Sequence, residues 1–344
     1  MLEAMTREIV LTLPQSAGRR EVSSVYFGGG TPSILAVAEL ELLLKTVAQC
    51  SLLVPDAEIA IEANPDDLSD EYLSGLRRIG FNRLSIGAQS FFDDDLRWMN
   101  RRHDARQALQ SVEAARRQGF RNLNIDLMYG FSAMTRERLE ANLKQALALD
   151  APHLSVYHLV IEPRTAFEKR QDEGETLVVS DDESARQLDV VIDTLETAGY
   201  EHYEISNFAR PGFRSRQNLA YWQLEHYAGI GPAAHSYDGR TRRWNVDDNG
   251  KYIAAIENGA DWFERERLTV AEHYNEYVLV SMRAAWGADI AHIRATFGNA
   301  FADGFLRQAA VERQNGNLTE KNGIFTLTRK GKMLADRVAS DLFC

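Results

Sequence analysis

The chain carries two cysteines, Cys50 and Cys344, in 344 residues. Thiols so far apart in sequence make neither a disulfide framework nor a metal-ligand spacing, so each is expected to be a buried or terminal thiol. Long apolar runs are missing as well, and none approaches the ~20 residues that span a bilayer. Met1–Leu13 contains Glu3, Arg7 and Glu8 and lacks the apolar centre and cleavage site of a signal peptide. The cytoplasm is the expected location. Positive charge is in deficit: the formal net charge of −11 argues against a nucleic-acid binder that works through a general basic surface. The histidines are scattered, with His103 and His158 single and His202, His226 and His235 without ligand spacing, so no dedicated mononuclear metal site is expected. Asp93-Asp94-Asp95 reads as a solvated helix start, favourable at the positive end of a helix dipole.

What is present is a repeat of short apolar strands and amphipathic helices. Strand-like runs fall at Ser24–Phe27, Glu58–Ala63, Arg83–Ala88, Asn122–Met128, His153–Leu159 and His202–Ile205. Between them, Asp104–Gln118 puts Ala105, Ala108, Leu109, Val112 and Ala115 on one helical face and stops at Gly119. Ser180-Asp-Asp-Glu183 is a capping box ahead of a Leu188, Val191, Ile192, Leu195 stripe, and Ser69 caps a helix that stops at Gly80. Repeated βα units predict a parallel sheet, and a partial (β/α) barrel fits their number. Met1–Leu13 reads as a helix, so the repeat opens on α where a barrel opens on β. A leading strand and its loop are therefore expected before Met1.

After about residue 210 the pattern changes. Arg210–Trp222 reads as irregular and polar-aromatic, Gly229–Ser236 as a glycine-rich loop, and the chain from Asn249 onward as mostly helical. Asn322–Arg329 reads as a hairpin arm before a final helix, Gly331–Leu342, which together suggest a small winged-helix-like module serving as a lid or docking unit. The expected organisation is a barrel over 1–212, a connecting segment over 213–248 and a C-terminal module over 249–344.

The organising stretch is Ser23–Ser33, a strand that ends in Gly28-Gly29-Gly30-Thr31-Pro32. Three glycines remove every Cβ, so the backbone can approach a ligand and positive φ becomes accessible; Pro32 ends strand pairing. In a parallel barrel, ligands meet the C-terminal ends of the strands. Those ends carry Gly28–Thr31, Glu62 with Asn64-Pro65, Gln89 with Ser90, Asp126 with Tyr129-Gly130, Tyr157-His158, and Glu204 with Asn207. So many acids and amides on one rim cost free energy unless a ligand or partner satisfies them. A carboxylate such as Asp126 suits paired ribose hydroxyls, while Glu62 and Gln89 suit hydroxyls or an ammonium. The rim predicts a polar, nucleoside-like small molecule. A phosphate-binding barrel enzyme is the competing reading of the glycines, and the acidic rim opposes it.

Several motifs carry a family resemblance: Phe-Gly-Gly-Gly-Thr-Pro-Ser (27–33), Ile-Glu-Ala-Asn-Pro (61–65), Asn-Arg-Leu-Ser-Ile-Gly-Ala-Gln-Ser-Phe (82–91), Arg101-Arg-His103, Asn-Ile-Asp-Leu-Met-Tyr-Gly (124–130), Ile-Glu-Pro (161–163) and Tyr-Glu-Ile-Ser-Asn-Phe-Ala-Arg-Pro-Gly (203–212). In order and spacing along the whole chain these resemble the HemW-type haem chaperones. Those are radical S-adenosylmethionine (SAM) proteins similar to oxygen-independent coproporphyrinogen III oxidases. Tyr274-Asn-Glu-Tyr277 and Leu327-Thr-x-x-Gly331 extend the likeness into the C-terminal module.

The resemblance implies a radical-SAM barrel that binds SAM and handles haem for delivery to an acceptor protein. Gly29, Gly30 and Thr31 would meet the methionine part of SAM. Glu62, Gln89, Arg101 and Asp126 would hold the rest, with Asp126 on the ribose and Arg101 on the carboxylate; Arg101 enters through the resemblance alone. Three departures accompany it. The family's Cys-x₃-Cys-x₂-Cys loop, which holds a [4Fe–4S] cluster with one iron open to SAM, would lie before Met1. The family's His-Asn-x-x-Tyr-Trp motif, linked to haem, appears as Gln217-Asn218-Leu-Ala-Tyr221-Trp222, and an amide is a poor iron ligand beside imidazole. Phe131-Ser-Ala-Met134 replaces a Pro/Gly-containing loop. The alternatives are coproporphyrinogen III oxidation and a non-enzymatic SAM- or tetrapyrrole-binding protein.

Overall fold

The computed structural model describes residues 1–13 and 20–344. In chain order the first two-thirds run α1 (Leu2–Thr12), β1 (Glu21–Phe27), α2 (Val37–Cys50), β2 (Leu52–Ala63), α3 (Asp70–Ile79), β3 (Arg83–Gln89), α4 (Asp93–Trp98), α5 (Ala105–Arg117), β4 (Asn122–Tyr129), α6 (Arg136–Ala148), β5 (His153–His158), α7 (Ala166–Asp172), α8 (Asp181–Thr197), β6 (Glu201–Glu204) and β7 (Asn207–Ala209). One seven-stranded sheet has the order β1-β2-β3-β4-β5-β7-β6. Strands β2 to β5 pair in parallel, as the βα repeat predicts. The closing strands depart from it: β7 pairs antiparallel with both β5 and β6. The Glu204–Asn207 turn is thus a hairpin inside what reads as one parallel unit.

The chain divides into two compact units. One comprises Tyr26–Leu35 and Glu58–Arg214, the other Met1–Val25, Ala36–Ala57 and Ser215–Cys344. The first is a partial (β/α) barrel with two unlike faces. Leu84, Ile86, Leu123, Ile125, Leu127, Leu154 and Val156 are at most 1% exposed. These alternate along β3, β4 and β5 with Arg83, Ser85, Asn122, Asn124, Asp126, His153 and Ser155, so the period-2 pleat sorts apolar side chains to one face and polar ones to the other. Helix termini follow their caps. Ser69 Oγ accepts from Tyr72 N–H, and α3 stops at Gly80 with φ +110°. Asp104 and Gln107 form a reciprocal capping box at α5. At α8 only half of the expected box forms: Ser180 Oγ accepts from Glu183 N–H, but the Glu183 carboxylate turns to Arg186 and Gln187.

The Asp93–Asp95 start of α4 is not simply solvated. Asp95 is 1% exposed and accepts from Ser90 Oγ at 2.6 Å and Arg138 Nη1 at 2.5 Å. The Phe131–Met134 loop has a definite geometry: Phe131 and Met134 are buried, Ser132 N–H donates to Leu177 O, and Gln187 Nε2 donates to Met134 O at 2.8 Å.

In the second unit, Ser215 Oγ caps α9 (Arg216–Trp222) by accepting from Asn218 N–H, where the sequence reads as irregular. Then come β8 (His235–Tyr237), β9 (Thr241–Asn245), α10 (Asn249–Asn258) and β10 (Phe263–Arg267). These strands form an antiparallel sheet in the order β10-β9-β8 that the sequence reading does not contain. Helix α1 is held by its one fully buried acid. Glu8 accepts from Gly231 N–H (2.7 Å), Asn245 Nδ2 (2.7 Å), Tyr252 OH (2.6 Å) and Trp262 Nε1 (3.0 Å). A buried carboxylate needs such donors.

The remainder is α11 (Val270–Arg283), β11 (Ala288–Asp289), α12 (Ile290–Phe297), α13 (Asn299–Gln314), β12 (Leu318–Lys321), β13 (Ile324–Leu327), α14 (Arg329–Lys332) and α15 (Ala335–Asp341). Its small sheet, β11-β13-β12, and its helices match the winged-helix-like module. The hairpin turns at Asn322-Gly323, both at positive φ as a two-residue turn requires, so Asn322 is the turn rather than the first residue of an arm. The final helix is broken into α14 and α15. Among the described residues no helix is long and apolar enough to cross a membrane.

Candidate functional site

The strand ends of the barrel unit enclose a cleft of about 110 Å³ lined by Gly30, Thr31, Glu62, Asn64, Ser85, Gly87, Gln89, Arg101 and Asp126 among others. Its wall is the loop after β1. Gly29 and Gly30 have φ +78° and +84°, a region that L side chains rarely adopt. Gly28 is required for another reason: a Cβ there would lie 2.3 Å from the Tyr26 ring and 2.8 Å from Glu62 Oε1. Glu62 fastens the loop, accepting from Tyr26 OH at 2.6 Å and from Gly29 N–H at 3.1 Å. Ser33 anchors its far end by donating to Asp67 Oδ2 at 2.6 Å.

Gln89 ends β3 after a register shift with φ +66°, strain of the kind that clusters at functional sites. The Arg101-Arg102-His103 run divides three tasks. Arg101 Nη2 donates to Asn64 Oδ1 at 2.7 Å and to Gly87 O at 3.2 Å, while its buried Nε has no partner. Arg102 braces the neighbouring acids Asp66 and Asp67 at 3.0 and 3.1 Å. His103 Nε2 meets Ala88 O at 3.1 Å, the structural role expected of a single histidine.

Asp126 lies on the cleft floor. Asn124 Nδ2 donates to it at 2.6 Å and Ser85 Oγ at 3.4 Å. Burial, then the charge of Glu62, pushes its carboxyl up to about 7 against the pull of these donors. Burial also holds the neighbouring Tyr26 and Tyr157 phenols protonated, with both acids adding to the effect at Tyr26.

Behind the rim runs a polar lattice that the sequence reading mostly missed. Asn124 Nδ2 also reaches Ser85 Oγ (2.7 Å) and Ser155 Oγ (2.9 Å), and its Oδ1 meets His153 Nδ1 at 2.6 Å. His153 Nε2 meets Tyr203 OH at 2.7 Å. Ser155 donates to Asn207 Oδ1, and Asn207 Nδ2 donates to Glu204 Oε2 at 2.6 Å. Desolvation keeps His153 neutral, which suits a fixed tautomer. The signal that could have found these residues is polar alternation within strands flanked by apolar positions.

The predicted cofactor residues Gly29, Gly30, Thr31, Glu62, Gln89, Arg101 and Asp126 therefore belong to one unit, and all but Gly29 line the same cleft. The four haem candidates lie on α9 in the other unit. Gln217 is 8% exposed and accepts from Ser24 Oγ at 2.9 Å. Asn218 N–H donates to the Ser215 cap, Tyr221 is exposed and packs edge-on against Tyr227, and Arg283 lies over the Trp222 ring.

A strand-end cleft with a glycine loop, two acids and a half-buried arginine, on a partial parallel barrel, defines a radical-SAM type of protein. Residues 3–146 match the model of the Radical SAM superfamily. The chain is 35% identical over 342 residues, 98% of its length and 89% of the relative's, to the heme chaperone HemW of Bacillus subtilis (strain 168). Its identity to the heme chaperone HemW of Escherichia coli (strain K12) is 35% over 324 residues, covering 89% of this chain and 82% of the relative. Among solved structures, the coproporphyrinogen III oxidase HemN of Escherichia coli, a radical SAM enzyme, matches at TM-score 0.85 and 28% identity, over 99% of this chain and 82% of that one. The chain belongs to the HemW haem-chaperone family.

Proposed function

We propose that the cleft binds SAM and that the chain carries haem for delivery to acceptor proteins. The observation that carries the SAM assignment is Arg101: a half-buried cation held by two bonds through Nη2, its Nε unsatisfied, lining a cleft shared with two acids. A carboxylate in the cleft satisfies that Nε and pairs with the guanidinium. Gly29, Gly30 and Thr31 offer backbone to the methionine group, Glu62 and Gln89 take the ammonium, and Asp126 takes the ribose hydroxyls. Glu62 and Asp126 disfavour a phosphate in the same place.

The residues present fit SAM and do not fit its usual partner. A [4Fe–4S] cluster open to SAM supplies an electron for reductive cleavage and takes three thiolates. Residues 1–344 contain only Cys50, buried, and Cys344, exposed. Among the described residues no three His, Cys, Asp or Glu side chains are grouped to hold a metal. What the cleft residues do is bind and orient: the fixed glycine loop and the Arg101 guanidinium set the ligand's two ends.

Calorimetric titration with S-adenosylhomocysteine tests the site. Asp126→Ala should weaken binding by about 1–3 kcal/mol, the scale of lost charge-assisted bonds, and Gly30→Val should do so by exclusion. Unchanged affinity in both folded variants removes the assignment. The likeness to HemN supports a second reading, coproporphyrinogen III oxidation, which a porphyrinogen oxidation assay separates from haem carriage.

A further inference from the structure

Two consecutive arginines in the connection from α4 to α5 have different partners. Arg101 lines the cleft, whereas Arg102 pairs with Asp66 and Asp67 at 3.0 and 3.1 Å. Followed bond by bond, the residues around them close a ring. Arg101 Nη2 donates to Asn64 Oδ1 at 2.7 Å. Asn64 N–H donates to Ser33 Oγ at 3.2 Å. Ser33 Oγ donates to Asp67 Oδ2 at 2.6 Å, and Asp67 Oδ1 accepts from Arg102 Nη2 at 3.1 Å. The Arg101–Arg102 peptide bond completes the circuit.

Two tight turns stiffen the ring. Asp67 N–H donates to Asn64 O at 3.1 Å, so Asn64 and Asp67 share one turn. Ile34 N–H donates to Thr31 O at 3.2 Å, which puts Ser33 in the same turn as Thr31. Ser33 is 4% exposed, so its hydroxyl cannot exchange Asp67 for water without cost. Thr31, Asn64 and Arg101 line the cleft, while Ser33, Asp67 and Arg102 do not. Three residues outside the cleft therefore tie together three residues that line it. Asp126, at the cleft floor, is no member of the ring.

We propose that Ser33 and Asp67, with Arg102 behind them, are positioning residues for the amino-acid part of the ligand. They fix the Thr31 end of the glycine loop and the Arg101 guanidinium relative to one another. The cleft then favours a nucleoside that carries an amino acid over the same nucleoside without one. The proposal rests on the SAM reading above. Relative position matters because charge-assisted bonds need short, aligned contacts, and a carboxylate that reaches Arg101 must do so while the rest of the amino acid lies along the loop.

Calorimetric titration with two ligands tests the idea: S-adenosylhomocysteine, and methylthioadenosine, which keeps the nucleoside and thioether but lacks the amino acid. The wild type should prefer S-adenosylhomocysteine by at least about tenfold. Ser33→Ala and Asp67→Asn should each weaken S-adenosylhomocysteine by about five- to tenfold, the scale of one lost hydrogen bond, and leave methylthioadenosine within about twofold. Arg102→Ala, at an exposed position, should move the same ratio in the same direction. Arg117→Gln, which breaks the exposed pair with Asp70, should leave the ratio alone. Circular dichroism establishes that each variant is folded. Equal weakening of both ligands, or of neither, in the folded variants overturns the positioning role while leaving the SAM site standing. A wild type that binds neither ligand overturns the SAM reading and the proposal with it.

Discussion

Asp126→Asn should make the ligand-free protein more stable, and the gain should depend on pH. The Asp126 carboxyl moves from the ordinary 3.8 to about 7, first because burial disfavours its charge and then because Glu62 is near. Below about pH 4 both folded and unfolded chains hold this proton and the site costs nothing. Between about 4 and 7 the folded state keeps a proton that the unfolded state has released, so stability falls as pH rises; above about 7 the full cost is present. Three units correspond to about 4 kcal/mol. Asp126 lines a cleft that water enters, so we discount this to about 1–3 kcal/mol. Asparagine keeps the acceptor for Asn124 and Ser85 and turns its amide toward Glu62. Urea unfolding of both proteins across pH 4.5 to 8 reads the difference, which should grow by about 1–2 kcal/mol and flatten above pH 7. A difference that does not change with pH refutes the electrostatic argument. Binding should show the opposite face of the same effect. If ionised Asp126 accepts ribose hydroxyls, wild-type affinity for S-adenosylhomocysteine rises with pH through about 7, and the variant's does not.

Anaerobic reconstitution of residues 1–344 with iron and sulfide should give no [4Fe–4S] absorbance that survives desalting, because two separated thiols cannot supply three ligands; a stoichiometric cluster counts against this. Gly28→Ala should reduce S-adenosylhomocysteine affinity by about tenfold or more, since the new methyl meets the Tyr26 ring and Glu62 Oε1, and calorimetry on the folded variant checks it. Arg138→Met strands the buried Asp95 carboxylate, so chemical denaturation should show a loss of about 2–4 kcal/mol, which Asp95→Asn in the same chain should partly restore.

The barrel was legible because its signals are local and agree. Ser69, Asp104 and Ser180 cap helices, Gly80, Gly119 and Gly199 take positive φ just past helix ends, and the strands between them carry a buried apolar residue at every second position of β3, β4 and β5. The second unit was less so. The strand Phe-Glu-Arg-Glu-Arg, 263–267, is mostly charged and exposed, and it exists because its backbone pairs with Thr241–Asn245, a partner that pattern within one window does not reveal. The same holds for α9: Gln217 and Tyr221 carry no continuous apolar stripe, and a single Ser215 cap sets the helix start.

The site divides along the same line. Gly28, Glu62, Gln89 and Asp126 stand out as polar or glycine residues at strand ends, and strand order alone brings them together. Asn124, His153 and Ser155 are equally polar but sit one or two pleats deeper, where a lone residue reads as an ordinary core exception. Only the register, which sets Asn124 beside His153 and Asp126 beside Ser155, turns them into one lattice. That lattice has a consequence for Asp126. Asn124 uses its carbonyl on His153 and therefore must direct its amide hydrogens to Ser85, Ser155 and Asp126, so a histidine two steps from the cleft fixes which way the donor beside the acid points. Asp126 thus meets an Asn124 donor of fixed orientation that pulls its carboxyl down against burial and the charge of Glu62, and that orientation is set from behind the cleft.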